Sequence, residues 1–286
     1  MPYTTEEILD RLVSHISGLD AVQSIGISGS KSPLPKKGEG DIDLFLYCDE
    51  LPSLEKRQAI LYGMHDIIEE SKANVLEGGR WGSGDFMLIN GVETWLMYFT
   101  MRETLSDVES ILSGEQPGKL DNYYYPVGRL AMLKNMTVLF DRGNFLYGLK
   151  SRLTNYPPKL GETLTAYHLD ALCDTEDLLR AVSRRDALFY HFALDLALDH
   201  FLQALFAMNS TYFPSRKRTL EYLKNFKVQP RDCASRLLEV VRLGGEGETV
   251  PQSFALWESL TEELKALGGQ ITGDRSISKD DTDDKK

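Results

Sequence analysis

The spacing of apolar positions changes character near the middle of this chain. Up to about residue 153, short β-branched or aromatic runs bounded by Gly, Pro or Asn alternate with segments of helical spacing; beyond Tyr156-Pro157-Pro158 the spacing is helical throughout. In the first part, residues 4–17 read as a helix, with Thr4-x-x-Glu7 as a capping box and Ile8, Leu12, Val13 and Ile16 on one side. The run through Ile25 and Ile27 and the run over 41–47 read as buried strands. Residues 53–72 are expected to form a second amphipathic helix carrying Leu54, Ile60, Leu61, Met64, Ile67 and Ile68. A short strand over 74–77 and a glycine-dense loop precede a strand over 86–89, and Asn90-Gly91 is a two-residue hairpin turn into a strand over 92–99. Helices over 104–112 and 127–133 and a strand over 137–140 complete a mixed-sheet α/β (α+β) domain at residues 1–153. The remainder, with long helical patterns at 163–184 and 186–208 and shorter ones at 220–226, 231–243 and 251–267, is expected to be an all-α helix bundle at 154–268. The polar stretch 269–286, rich in Asp and Lys, is expected to be disordered.

Candidate chemistry concentrates between the first two strands. Ile25-Gly26-Ile27-Ser28-Gly29-Ser30 is followed by ten residues and then by Asp41-Ile42-Asp43-Leu44-Phe45-Leu46-Tyr47. Successive strand side chains point to opposite faces, so Asp41 and Asp43 project from one face and Ile42 turns into the core. Two carboxylates so placed repel one another, and a divalent cation between them keeps both ionised. Gly29-Ser30 offers the complementary half: backbone N–H groups in a tight turn can cradle a phosphate, and the Ser30 hydroxyl adds a donor. Metal carboxylates on one side and a phosphate cradle on the other make a nucleotide site. Gly29-Ser30-Lys31-Ser32 is not the end of a P-loop, because Ser30 separates Gly from Lys and Pro33 and Pro35 follow where a helix should begin. Lys36 and Lys37 of the intervening loop either touch a triphosphate or are solvated.

Gly-Ser, ten residues, then Asp-x-Asp opening an apolar strand resembles the nucleotidyltransferase domain of the DNA polymerase beta superfamily, in the branch of antibiotic and minimal nucleotidyltransferases. The resemblance implies Mg²⁺-dependent transfer of a nucleoside monophosphate from a nucleoside triphosphate such as ATP to a hydroxyl of a small, antibiotic-like acceptor. Asp41 and Asp43 would be the catalytic metal ligands, and Gly29 and Ser30 would orient the phosphates. It also implies a third carboxylate on the strand after the hairpin turn, where this chain carries Trp95. Glu93, two residues earlier on the same face, is either its substitute or an exposed strand glutamate.

A further substitute comes from the helical half. On the nearly all-apolar helix over 187–208, His191, Asp195, Asp199 and Gln203 fall four apart. This stripe is either the solvent edge of the helix or faces a nucleotide cleft between the domains, with Asp195 as the base acting on the acceptor and His191 as its partner. His200 stands off the stripe and is expected to be structural. The segment Asn209-Ser210-Thr211-Tyr212-Phe213-Pro214-Ser215-Arg216-Lys217 resembles an Asn-x-x-Tyr-Phe-Pro-x-x-Lys segment in uncharacterised bacterial proteins carrying this nucleotidyltransferase domain. Asn209 and Lys217 are therefore nucleotide-binding candidates, with Lys217 directed at the triphosphate. Ser215 is expected to cap the next helix, and Arg216, Lys217 and Arg218 in its first turn would run against the dipole unless an anion is bound there. Two alternatives stay open: a protein-modifying nucleotidyltransferase (AMPylation) acting on a Tyr or Ser hydroxyl of a partner, and a catalytically degenerate nucleotide-binding sensor.

Composition narrows the partners. With 43 acidic against 32 basic residues the formal net charge is −11, which repels a long polyphosphate backbone and argues against bulk nucleic acid as substrate. An acceptor that is small, even cationic, fits better. No apolar run approaches the roughly 20 residues that span a bilayer, and the first residues lack a basic and apolar leader, so a cytoplasmic protein without membrane contact is expected. Cys48, Cys173 and Cys233 lie far apart, as reduced thiols do, and supply no zinc motif.

Overall fold

In a computed structural model, which describes residues 4–29, 34–115, 118 and 126–280 apart from the side chains of Thr5, Arg80 and 270–280, the capping box at the start of the chain closes as its sequence dictates. Thr4 Oγ1 accepts from the Glu7 N–H (3.2 Å) and the Glu7 carboxylate accepts from the Thr4 N–H (2.7 Å), opening helix α1 (Thr5–Ser17). Its Ile8, Leu9, Leu12 and Ile16 are buried in the core of the N-terminal unit, against Ile25, Leu44, Leu46 and Leu96. Six strands make the sheet: β1 (Val22–Ile27), β2 (Asp41–Cys48), β3 (Glu70–Glu77), β4 (Ser83–Ile89), β5 (Val92–Thr100) and β6 (Thr137–Asp141). Their order is β3-β4-β5-β2-β1-β6, with β2 and β5 parallel and every other pair antiparallel. This is the mixed sheet with helices that the first half of the sequence predicts.

Helix α2 (Leu54–Gly63) stops well short of residue 72. Ile67 and Ile68 still pack on the same core, but from a turn, because the Glu69 N–H donates to the Leu88 carbonyl (2.8 Å) and Glu70 pairs with Leu88. Pairing with β4 thus overrides the helical periodicity of that stretch and starts β3 four residues before the expected strand. A buried polar knot fastens β3 to α2. Arg57 (4% exposed) meets the fully buried Asp85 at 3.3 Å and donates to Asn74 Oδ1 (2.8 Å), while the Asn74 N–H donates to Asp85 Oδ1 (2.8 Å). Asn74 sits at φ +58°, in the break of register between Lys72 and Leu76. Burial pushes the Asp85 carboxyl up, against the opposing pull of the Asn74 N–H and the Arg57 charge. Helices α3 (Met101–Ser113), α4 (Pro126–Asn135) and α5 (Phe145–Thr154) follow β5 and flank β6.

The chain divides into two units, Met1–Glu109 with Met132–Asn155 and Ser110–Ala131 with Tyr156–Lys286. The boundary expected at residues 153 and 154 is thus crossed once before it is reached, since Ser110–Ala131 belongs with the helical unit. That unit contains α6 (Pro158–Ala171), α7 (Glu176–Arg184), α8 (Ala187–Met208), α9 (Thr219–Leu223), α10 (Cys233–Leu243) and α11 (Val250–Asp280). Where one helix over 163–184 is expected there are two, α6 and α7, parted at Cys173-Asp174-Thr175. Helix α8 is central: Tyr190, Leu194, Phe201, Leu205 and Phe206 are almost wholly buried, and Asp186 caps it by accepting from the Phe189 N–H (3.1 Å). His168 and His200 share a hydrogen bond between their Nδ1 atoms (2.9 Å), and burial lowers the His200 pKa. Helix α11 continues to Asp280, through much of the stretch expected to be disordered; residues 281–286 lie outside the described ones. Among the described residues no helix is long and apolar enough to cross a membrane.

Candidate functional site

The parallel pairing of β2 with β5 decides what the Asp-x-Asp motif faces. Asp41 stands opposite Glu93 and Asp43 opposite Trp95. Paired residues of adjacent strands share a face, so the two aspartates, Glu93 and Trp95 occupy one side of the sheet. Strand spacing puts the Asp41 and Glu93 backbones about 5 Å apart, and Asp41 and Asp43 are separated by about 7 Å along the strand. Asp41 and Glu93 are exposed and Asp43 is half-buried, whereas the residues that follow on this face, Phe45, Tyr47, Met97 and Phe99, are all under 9% exposed. The carboxylates therefore sit where the covered face opens to solvent. On the other face Ile42, Leu44, Thr94 and Leu96 are buried, the alternation the sequence predicts.

The first strand brings the turn to the same place. The Ser28 N–H donates to the Asp43 carbonyl (3.1 Å), so the chain leaving β1 runs beside Asp43. Gly29 follows at φ +84°, with no described atom within 4 Å of where a Cβ would stand, and its carbonyl accepts from Thr137 Oγ1 (3.0 Å). Among the described residues the glycine is required by backbone conformation rather than by crowding. Ser30, the other expected phosphate donor, lies outside the described residues, as do Lys31, Ser32 and Pro33. Ser28, exposed and next to Asp43, is a candidate that motif reading passes over because the motif begins at Gly29. Lys37 lies with its aliphatic stem on the hairpin turn: a Cβ on Gly91 would come within 2.7 Å of Lys37 Cδ. That places one of the two loop lysines two residues from Glu93; the Lys36 N–H turns instead to the Glu39 carboxylate (3.1 Å).

The candidates of the helical unit have other occupations. Asp195 and Asp199 do lie on one side of α8, but both close on Arg216. Its Nε and Nη2 donate to the two oxygens of Asp199 (2.6 Å each), and its Nη1 donates to Asp195. The Asp199 side chain is 5% exposed, so this is the compensation its burial needs. Asp195, expected to act as the base, is thus engaged in an ion pair with Arg216. Asn209, expected to bind nucleotide, has its amide filled by backbone. Nδ2 donates to the carbonyls of Leu205 (2.8 Å) and Val228 (2.7 Å), and Oδ1 accepts from the N–H groups of Lys227 and Val228 (3.1 Å each). The asparagine ties the end of α8 to a segment 19 residues on. The three cations do not sit in a helix's first turn, since α9 begins at Thr219 with Arg218 as an N-cap at φ +60°, and Ser215 accepts from the Lys217 N–H (3.2 Å) instead of capping. Lys217 is exposed. His200, expected to be structural, is hydrogen-bonded to His168.

Among the described residues no group of three or more His, Cys, Asp or Glu side chains is placed to hold a metal ion. A family model described as "Domain of unknown function (DUF4037)" matches residues 124–218, less than half of the chain and including the Asn209–Lys217 segment. No curated protein matches. Among solved structures the chain is similar to a nucleotidyltransferase-like protein from Exiguobacterium sibiricum 255-15, with 13% identity, a TM-score of 0.49, and coverage of 93% of this chain and 78% of that one. At that identity and score the likeness assigns no residue a role.

Proposed function

We propose that the N-terminal unit transfers a nucleoside monophosphate from a nucleoside triphosphate to a hydroxyl acceptor. The observation that carries this reading is the β2–β5 register, which sets Asp41, Asp43 and Glu93 on one open face beside the Gly29 turn. Two carboxylate donors suit Mg²⁺, which ordinarily takes one or two from a protein and the rest of its shell from phosphates and water. Asp41 and Asp43 would hold it, and when bound it supplies neutralisation of phosphate charge and lowers the pKa of the acceptor hydroxyl. The N–H groups of the Gly29 turn orient the β- and γ-phosphates. The acceptor oxygen bonds to the α-phosphorus as the bond from that phosphorus to the β-bridging oxygen breaks, and pyrophosphate leaves. The proton of the hydroxyl passes to Glu93, which is exposed, lies opposite Asp41 and, among the described residues, is not paired with a guanidinium as Asp195 is. Glu93 thus takes the part that the resemblance gives to a carboxylate at Trp95.

The acidic chain disfavours a polyanionic acceptor, which leaves a small alcohol or a Tyr or Ser hydroxyl of a protein. Pyrophosphate release from Mg²⁺-ATP, followed over a panel of alcohols and of Tyr- and Ser-bearing peptides, tests the reading. Release should require Mg²⁺, stop with EDTA and be absent in Asp41→Asn. Trp95 beside Asp43 favours a second reading, a nucleotide sensor without turnover. Calorimetric binding of Mg²⁺-ATP with no pyrophosphate from any acceptor would decide for it.

A further inference from the structure

We propose that Trp95 and Phe86 form the acceptor subsite of this centre, built to hold an alcohol whose hydroxyl is carried on, or one carbon away from, a planar ring. The inference rests on the transfer reading and adds the class of acceptor to it. The antiparallel register of β4 and β5 sets Phe86 opposite Trp95, and the parallel register sets Trp95 opposite Asp43, so Asp43, Trp95 and Phe86 form one row across three strands on the same face. The two rings meet edge to face, 5.1 Å between centroids at 60°. Both residues are half-buried and keep part of their rings accessible, while the next aromatics along the face, Phe45 and Phe99, are closed off. Part of an aromatic surface thus stays accessible one strand spacing, about 5 Å, from Asp43.

The direction of attack assigns the subsite to the acceptor and not to the nucleobase. In phosphoryl transfer the attacking and leaving oxygens lie roughly in line through the phosphorus. The Gly29 turn, which would hold the departing β- and γ-phosphates, flanks β2 on the β1 side. The entering oxygen must then come from the opposite side, where β5 presents Glu93 to take the proton and Trp95 to stack the ring. One strand therefore supplies both the base and the platform.

The indole reports on its own occupancy. The intact protein is titrated with 4-nitrobenzyl alcohol, whose ring quenches a stacked tryptophan on contact, and the titration is repeated with Trp95→Phe to subtract the exposed Trp81. Benzyl alcohol and n-butanol serve as competitors. We expect saturable quenching in the native chain, only a linear dependence in Trp95→Phe, competition by benzyl alcohol but not by n-butanol, and affinity roughly three- to tenfold weaker in Phe86→Leu with an unchanged circular dichroism spectrum. Linear quenching in the native chain, saturation that survives in Trp95→Phe, or equal competition by the two alcohols would overturn the proposal. Saturable quenching without pyrophosphate release from any acceptor would leave the ring subsite standing and remove the transfer reading. Release with equal kcat/KM for benzyl alcohol and n-butanol would do the reverse.

Discussion

In the sheet unit, Asp41 and Glu93 face each other across two parallel strands and remain exposed; in the helical unit, Asp199 is buried and shares one guanidinium with Asp195. Both regions place acidic residues at regular spacing, two apart on a strand and four apart on a helix, and a pattern of spacing does not distinguish them. The difference lies in what arrives from elsewhere. Arg216 reaches α8 from the segment that follows it and bridges the pair with one positive charge. On the strand face the neighbouring strand brings another carboxylate, Glu93, and an aromatic ring, Trp95. An acidic pair that a fold compensates maintains structure, and one that it crowds with further negative charge is suited to a cation.

This contrast breaks most sharply at Asp43. Asp43→Asn should lower turnover by roughly 10²- to 10⁴-fold, the loss of several kcal/mol of transition-state stabilisation, with the fold intact by circular dichroism; pyrophosphate release within about threefold of the native rate would remove the metal reading. Glu93→Gln should come next. As the base it would cost roughly 10²-fold in kcat at saturating Mg²⁺, whereas a mere ligand would raise the Mg²⁺ concentration needed and leave the maximal rate alone, so a Mg²⁺ titration of the variant separates the two.

On the other side of the comparison, Arg216→Met should destabilise the helical unit by about 2–3 kcal/mol, below the full cost of breaking a buried pair because the guanidinium is partly exposed. Urea unfolding measures this, and an unchanged midpoint would mean that Asp199 finds another partner. Asp195→Asn, at the more exposed end of the same clamp, should cost under about 1 kcal/mol. The smallest effect belongs to His200. Burial holds its folded pKa below the unfolded value of 6.5, although Asp199 pulls the other way. A depressed folded pKa means that this contribution is complete above the unfolded value and is lost as the pH falls below it. Melting temperatures at pH 7.5 and 5.5 should differ by a few degrees more in the native chain than in His200→Gln; an equal difference would place the pH sensitivity elsewhere.

The sheet unit was the more legible of the two in the sequence, because its signals are local. The Thr4 capping box, the Asn90-Gly91 turn and the alternation around Ile42 each involve a few consecutive residues, and together they set the strand faces on which Asp41, Asp43 and Glu93 stand. The early end of α2 was hidden because Ile67 and Ile68 keep a helical phase while β4 captures the backbone beside them. Arg216 and Asn209 were misread for a related reason. Their partners lie 17 to 21 residues away, and only the folded chain shows that a basic or amide side chain already has its hydrogen bonds. In the sequence Trp95 shows only as a missing carboxylate; its edge-to-face contact with Phe86 depends on the β4–β5 register.

The knot of Arg57, Asp85 and Asn74 has a consequence for how the protein behaves in concentrated solution. Strand β3 is an outermost strand of the sheet, and an outer strand with a straight run of open backbone groups is a template on which another molecule's strand can grow. Here Asn74, held at φ +58° by two buried partners, interrupts that run near its middle, and the exposed ion pair of Glu70 and Lys72 (2.9 Å) marks one of the remaining halves with charge. The rim of the sheet is left as two short pieces, too brief and too polar to seed a cross-β stack.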